Sequence, residues 1–279
     1  MTDSLLSTTR RHLFVVAASL AVAFSAHGGE RKLVLTGAST VAPLAAEIGK
    51  RFEKLNPGVQ VDVQTGGSAR GVNDARVGLS DIGMVSRDLK PDEEQQLKSF
   101  TIAYDGVCMI VHKSNPVSTL TKEQVVGIYT GRITNWKELG GLDRKITVVN
   151  KAEGRSTLEL FLHHFGLVNS QIKAHVVVGD NEQDIKTVVG NPGAVAYVSI
   201  GTGEFDVEQG MPLKLLPMEG IAATSENVKN RSFPLMRVLN LVTKGQPTGL
   251  SKQFIDYART ESVHDLVKDQ YFVPLASAR

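Results

Sequence analysis

The sequence predicts an α/β protein, and three observations carry that prediction. Strand-like and helix-like patterns alternate from about Glu30 to the C-terminal end, as layered α/β architecture requires. A strand, a Gly turn, hydroxyl residues and a helix follow one another three times. Finally, 279 residues are enough for a large core divided between two lobes.

The first of the three elbows is Leu33-Val-Leu-Thr-Gly-Ala-Ser-Thr-Val-Ala-Pro-Leu44. Leu33 to Leu35 are apolar and extended in character. Gly37 lets the backbone turn sharply. Ser39 or Thr40 is the expected N-cap, and Pro43 is tolerated in a first helical turn. Val41, Leu44, Ala45, Ile48, Phe52 and Leu55 recur at helical spacing until Asn56-Pro57-Gly58 stops the helix. In the second elbow, Val59, Val61 and Val63 alternate as a strand; Thr65-Gly-Gly-Ser68 and a helix from Ala69 follow. The strand Asp81 to Val85 leads to a loop at Ser86-Arg87, and Pro91 opens a polar helix. Phe100 to Tyr104 and Val107 to His112 read as two strands broken at Asp105-Gly106.

Lys113-Ser-Asn-Pro116 reads as a crossing between lobes, and Thr121-Lys-Glu-Gln124 as a capping box. Asn135 is expected to cap a short helix at Trp136. The third elbow runs from the strand Ile146 to Val149 through Glu153-Gly-Arg-Ser-Thr157 into a helix. That helix shows Leu158, Phe161, Leu162 and Phe165 on one face and ends at Gly166. Further strands are expected at Val176 to Val178, Ala194 to Val198, Leu213 to Leu216 and Val238 to Val242. A helix capped by Asn181 and one or two helices after Ser251 complete the pattern.

The N-terminus sets the compartment. Arg10-Arg11 precede the apolar run Leu13 to Phe24 and then small residues, the layout of a secretory signal over residues 1–29. The run is too short for an ordinary membrane span. Thr9-Arg-Arg-His-Leu-Phe14 fits a twin-arginine signal as well as a general secretory one. The nearly balanced charge shows no basic field for nucleic acid. Cys108, the single cysteine, lies in an apolar run and reads as a small buried side chain. The chain lacks a GxxxxGK[ST] loop and a GxSxG elbow, and its seven histidines show no metal-ligand spacing.

Free backbone N–H groups at a helix start attract an anion, and the helix dipole adds to the attraction. One such elbow is an ordinary cap; three suggest helix starts converging on one small anion. Arg87, Lys151 and Arg155 each fit a solvated charge as well as an anion ligand when taken alone. Beside three helix starts they favour the anion. Asp105 alone reads as a turn Asp before Gly.

Thr36-Gly-Ala-Ser-Thr-Val-Ala-Pro43, Gly66-Gly-Ser68, Ser80-Asp-Ile-Gly-Met-Val-Ser-Arg87, Asp105-Gly106, Ile128-Tyr-Thr-Gly-Arg-Ile-Thr-Asn-Trp136 and Glu153-Gly-Arg-Ser-Thr157 occur in this order. Together they resemble the PstS-like periplasmic phosphate-binding proteins of ABC importers. The resemblance implies a periplasmic-binding-protein type II fold, two α/β lobes joined by hinge strands with phosphate in the cleft. Residues 30–113 plus 202–279 would form lobe one and residues 114–201 lobe two. Ser39 and Thr40 match the first phosphate-binding turn, Ser68 the second, and Ser156 and Thr157 the third. Lys151 stands where many members have Arg, and some members carry Asp in place of Arg87. Asp105 becomes the candidate acceptor for the phosphate proton, with Asp81 second. The family's usual Ser-Gly-Thr is Arg155-Ser156-Thr157 here, so Arg155 either adds a cation to the site or points away.

The expectation is therefore a periplasmic, non-enzymatic, monomeric binder of inorganic phosphate that delivers it to membrane ABC permease subunits, without metal or cofactor. The alternatives are a binder of another oxyanion or phosphorylated metabolite, a secreted phosphatase, and a ligand-sensing or adhesive surface protein.

Overall fold

The computed structural model describes residues 31–276; the expected signal segment lies outside them. The first elbow forms β1 (Arg31–Gly37) and α1 (Ala42–Leu55), the second β2 (Val59–Thr65) and α2 (Ser68–Val77). Then come β3 (Ile82–Val85), the single turn α3 (Pro91–Glu94) and the long strand β4 (Leu97–His112). After α4 (Lys122–Tyr129), β5 (Thr147–Lys151) and α5 (Ser156–Phe165) form the third elbow. The chain continues through β6 (Val176–Val178), α6 (Asn181–Gly190), β7 (Ala194–Ser199), α7 (Ile200–Glu208), β8 (Leu213–Leu215) and α8 (Ser225–Lys229). It ends with β9 (Met236–Lys244), α9 (Gly249–Ala258), α10 (His264–Asp269) and β10 (Val273–Pro274).

Among the described residues the strands form one connected sheet in the order β2-β1-β3-β9-β4-β7-β5-β6, with β8 and β10 also paired to β4. The pairs β1–β2, β1–β3, β5–β6 and β5–β7 are parallel. The central strands β3, β9, β4 and β7 pair antiparallel. Strand β4 belongs to both halves. It pairs with β9 from Leu97 to Gly106 and with β7 from Val107 to Val111.

Two large apolar clusters divide along the sheet, one on each half. One holds Leu33, Leu35, Leu44, Ile48, Phe52, Ile82, Met84, Leu239, Leu241 and Phe254. The other holds Val107 to Val111, Tyr129, Trp136, Phe161, Tyr197, Leu213, Phe233 and Leu235. Burying a large side chain of this kind stabilises the fold by about 1.5–3 kcal/mol. Leu213, Leu216, Met218, Val228, Phe233 and Leu235 pack in this second cluster.

Three local expectations are corrected. The break at Asp105-Gly106 does not exist; both residues continue β4, because Asp105 pairs with Arg237 and Gly106 with Met236 across β9. Neither Ser39 nor Thr40 caps α1, whose preceding residue Val41 makes no side-chain cap bond. Asp180, not Asn181, caps α6, its Oδ1 accepting from the Gln183 N–H at 2.9 Å. The Thr121–Gln124 capping box and the Asn135 cap form as expected.

Candidate functional site

The elbows deliver their helix starts to the seam between the two clusters. Gly37 has φ 136, and a Cβ there would strike the Met84 carbonyl oxygen. Only Gly permits β1 to turn so close to β3. The turn is held by Ala38 N–H donating to Met84 O at 2.8 Å, and by Val41 and Ala42 N–H donating to Ala38 O at 3.1 Å. Gly67, at φ 89, starts α2 against the third elbow. The Ala69 N–H donates to Gly154 O at 3.2 Å, so the second and third elbows meet.

Three buried hydroxyls gather at this meeting. Ser86 N–H donates to Ser68 Oγ at 3.1 Å. Ser68 Oγ donates to Ser156 Oγ at 3.0 Å, and Ser86 Oγ lies 2.5 Å from Ser156 Oγ. Ser156 and Thr157 open α5, where the first N–H groups have no acceptor within the helix. A hydroxyl can donate or accept, so this cluster can turn its protons toward an incoming anion.

Arg237 of β9 stands beside them. Its side chain is fully buried. Nε donates to Asp105 Oδ2 at 2.8 Å and Nη2 lies 2.7 Å from the same oxygen. Nη1 donates to Thr157 Oγ1 at 2.9 Å and Nη2 to Thr40 Oγ1 at 3.1 Å. One guanidinium on β9 thus ties the first elbow, the third elbow and β4. Asp105 and Arg237 are direct cross-strand partners, the arrangement in which opposite charges on a sheet interact best.

Lys151, at the end of β5, is also buried. Its Nζ donates to Asn181 Oδ1 at 3.1 Å and forms an ion pair with Asp184. Burial pushes the Asp184 carboxyl up and draws Lys151 down, each opposed by the charge of the other. Asn181 Nδ2 reaches Thr40 Oγ1 at 3.4 Å, which connects this pair to the arginine network.

The structure brings most of the expected residues together, but not all. Thr40, Ser68, Asp105, Lys151, Ser156 and Thr157 come together, with Ser39 half-buried on the turn next to them. Asp105 is engaged on both oxygens, Oδ2 by Arg237 and Oδ1 by the Gly201 N–H at 3.3 Å, which leaves Oδ1 further capacity to accept. Asp81 is remote from this role, its Oδ2 accepting from the Val34 N–H at 2.8 Å. Arg87 does not present its guanidinium to the hydroxyls. Nη1 and Nη2 grip Glu93 at 2.7 and 2.9 Å, and Nε lies 2.6 Å from Glu159 Oε2. Arg155 is half-buried, its side chain lying against Gly67 and Gly179.

Sequence reasoning missed Arg237, Ser86, Asn181 and Asp184. Arg237 had a signal: a lone charge in Leu235-Met-Arg-Val-Leu239, an apolar strand where an unpaired charge would be costly. Ser86 lies inside a motif that was read for its arginine. Asn181 and Asp184 had none beyond ordinary helix-start polarity.

The chain belongs to the PBP superfamily, whose family model matches residues 24–261. Within it, the chain is similar to phosphate-binding proteins. The PstS phosphate-binding protein of Bacillus subtilis (strain 168) is 28% identical over 263 residues, covering 91% of this chain and 85% of that one. PstS of Borreliella burgdorferi is 27% identical over 272 residues, covering 94% and 96%. Among solved structures, a phosphate ABC transporter substrate-binding protein with bound phosphate from Clostridium perfringens superposes with TM-score 0.81 at 34% identity. It is matched over its full length by 88% of this chain. An ABC-type phosphate transport receptor from Vibrio cholerae gives TM-score 0.72 at 30% identity over the same shares. The fold is that of periplasmic-binding-protein type II, as the family resemblance implied.

Proposed function

We propose that this protein binds inorganic phosphate outside the cytoplasm and delivers it to the membrane subunits of an ABC importer. The observation that carries the reading is the Arg237 guanidinium, held by Asp105 while it donates to Thr40 and Thr157 from two different elbows. Beside it stand the hydroxyls of Ser68, Ser86 and Ser156 and the starts of α2 and α5. A charge-assisted donor, hydroxyls and helix N-termini are what a small tetrahedral anion needs. The names of the similar proteins support the same ligand.

We place the lobe boundaries inside the crossing strands, with residues 31–105 and 237–276 in the first lobe and residues 107–235 in the second. The change of partner along β4 and the membership of the two apolar clusters support this division. The ligand would sit between the lobes, and their opening and closing about β4 and β9 would admit and release it.

Binding rather than hydrolysis is the better reading. A nucleophilic serine needs a neighbouring base, and the partners of Ser68, Ser86 and Ser156 are one another and backbone. Export by the N-terminal segment would place the protein in the periplasm. Among the described residues no helix is long and apolar enough to cross a membrane. The test is calorimetry of the mature chain with phosphate, sulfate and molybdate. Tight binding of phosphate with weaker binding of the others is expected; preference for another oxyanion would replace phosphate as ligand, and no binding would sink the reading.

A further inference from the structure

A second set of contacts crosses the cleft one step away from the anion site. Ser86 and Arg87 are neighbours on the first lobe; Ser156 and Glu159 are one turn apart on α5 of the second, hence on one helix face. Ser86 meets Ser156, and Arg87 meets Glu159. Lys90, also on the first lobe, adds Nζ to Glu159 Oε1 at 3.2 Å. One carboxylate thus receives a cation on each oxygen, both from the opposite lobe.

We infer that Glu159 is a positioning residue for phosphate binding: its carboxylate clasps Arg87 and Lys90 and sets how long the closed cleft persists. This rests on the phosphate-binding reading of the adjacent site.

The pairing on the first lobe explains why the clasp can open. Arg87 is held in two-pronged fashion by Glu93, whose Oε2 also accepts from the Lys90 N–H at 2.8 Å. Arg87 would therefore keep a counter-ion from its own lobe when Glu159 withdraws. Glu159 side-chain exposure is 32%, against 8% for Arg87. Its carboxylate returns to water at small cost, unlike a fully buried charge. The Nε approach is close but off the hydrogen-bond direction, leaving both atoms without a formal hydrogen bond. Such a contact attracts without locking. The clasp also shares a rigid helix with Ser156 and Thr157, so holding Glu159 holds the start of α5 on the anion.

The experiment is stopped-flow kinetics of inorganic phosphate on wild type, Glu159→Gln, Lys90→Gln and the double variant, with calorimetry and thermal melting of each. For a partly exposed ion pair the expected rise in koff for Glu159→Gln is about fivefold, with kon within twofold and Tm nearly unchanged. Lys90→Gln should raise koff less, and the double variant no more than Glu159→Gln alone, since Glu159→Gln already removes the Lys90 contact. An unchanged koff, or a loss of affinity carried by kon, overturns the proposal. If wild type binds no phosphate, the functional reading falls separately. The clasp is then judged by small-angle scattering of the ligand-free chain: a larger radius of gyration for Glu159→Gln than for wild type is expected, and equal radii overturn it.

Discussion

Arg237 and Arg87 are both buried and both within 2.7 Å of a carboxylate oxygen, yet they are built for different work. Arg87 shows a carboxylate to each of its three nitrogens, Glu93 to Nη1 and Nη2 and Glu159 to Nε. Arg237 spends Nε and part of Nη2 on one carboxylate and aims the rest at the hydroxyls of Thr157 and Thr40. A hydroxyl can rotate and yield its place to an anion oxygen; the nearly buried Glu93 carboxylate cannot without leaving a charge unpaired. An arginine's role is therefore decided by what its remaining donors face, not by its burial or by having an acidic partner.

The largest effect should come from Arg237. Arg237→Gln removes the cation from the anion site and leaves Asp105 a buried, unpaired carboxylate. Losing one partner of a desolvated charged network costs on the order of 4 kcal/mol, so phosphate affinity should fall about a thousandfold. Calorimetry would show it, and thermal melting would show destabilisation that adding Asp105→Asn partly restores. Affinity within tenfold of wild type would remove Arg237 from the site.

Arg87→Gln should do the reverse. Glu93 loses its partner in a nearly buried setting, at a cost of about 2–3 kcal/mol of stability. For a chain of this size that lowers Tm by roughly 5–10 °C. Affinity for phosphate should fall no further than in Glu159→Gln. The contrast fails if binding collapses while Tm holds.

Asp105→Asn comes next. Asp105 accepts from Arg237 on Oδ2 and from the Gly201 N–H on Oδ1; if its part is to orient Arg237, its loss acts on both anions alike. Phosphate and sulfate affinities should fall together, by about tenfold, with their ratio unchanged. Competition binding at neutral pH checks this. A ratio that narrows would restore Asp105 as the group that reads the phosphate proton.

What the sequence disclosed and what it hid follow the same logic. The elbows, the strands and the Thr121 and Asn135 caps are local, and local pattern revealed them. The hidden features depend on a partner far along the chain. Asp105-Gly106 has the composition of a turn, and only its pairing with Met236 and Arg237 keeps it in a strand. Helix α7 went unread because Ile200-Gly-Thr-Gly lacks helix formers. There the glycines admit neighbours: a Cβ on Gly201 would strike the Phe272 ring, and one on Gly203 would press on Leu215. The hydroxyls were legible because helix starts advertise them. The arginine that unites them comes from the far end of the chain, and its one local signal is a lone charge in an apolar strand.

Arg155 sharpens the comparison from between its two poles. It immediately precedes α5 on the second lobe, and its side chain rests against Gly67, which precedes α2 on the first, and against Gly179. A cation beside two helix N-termini faces two positive dipole ends, which is unfavourable until an anion joins them. If the anion supplies that compensation, Arg155→Ser weakens phosphate binding only a few-fold, about threefold, because the removed cation also relieves repulsion in the empty cleft. The clearer signature is salt. Wild-type affinity should fall more steeply than that of Arg155→Ser between about 0.05 and 0.5 M salt, since one charge fewer steers the anion. Calorimetry at both salt concentrations measures the two slopes. Parallel slopes with equal affinities would class Arg155 with Arg87, as packing between the lobes and not as a ligand of the anion.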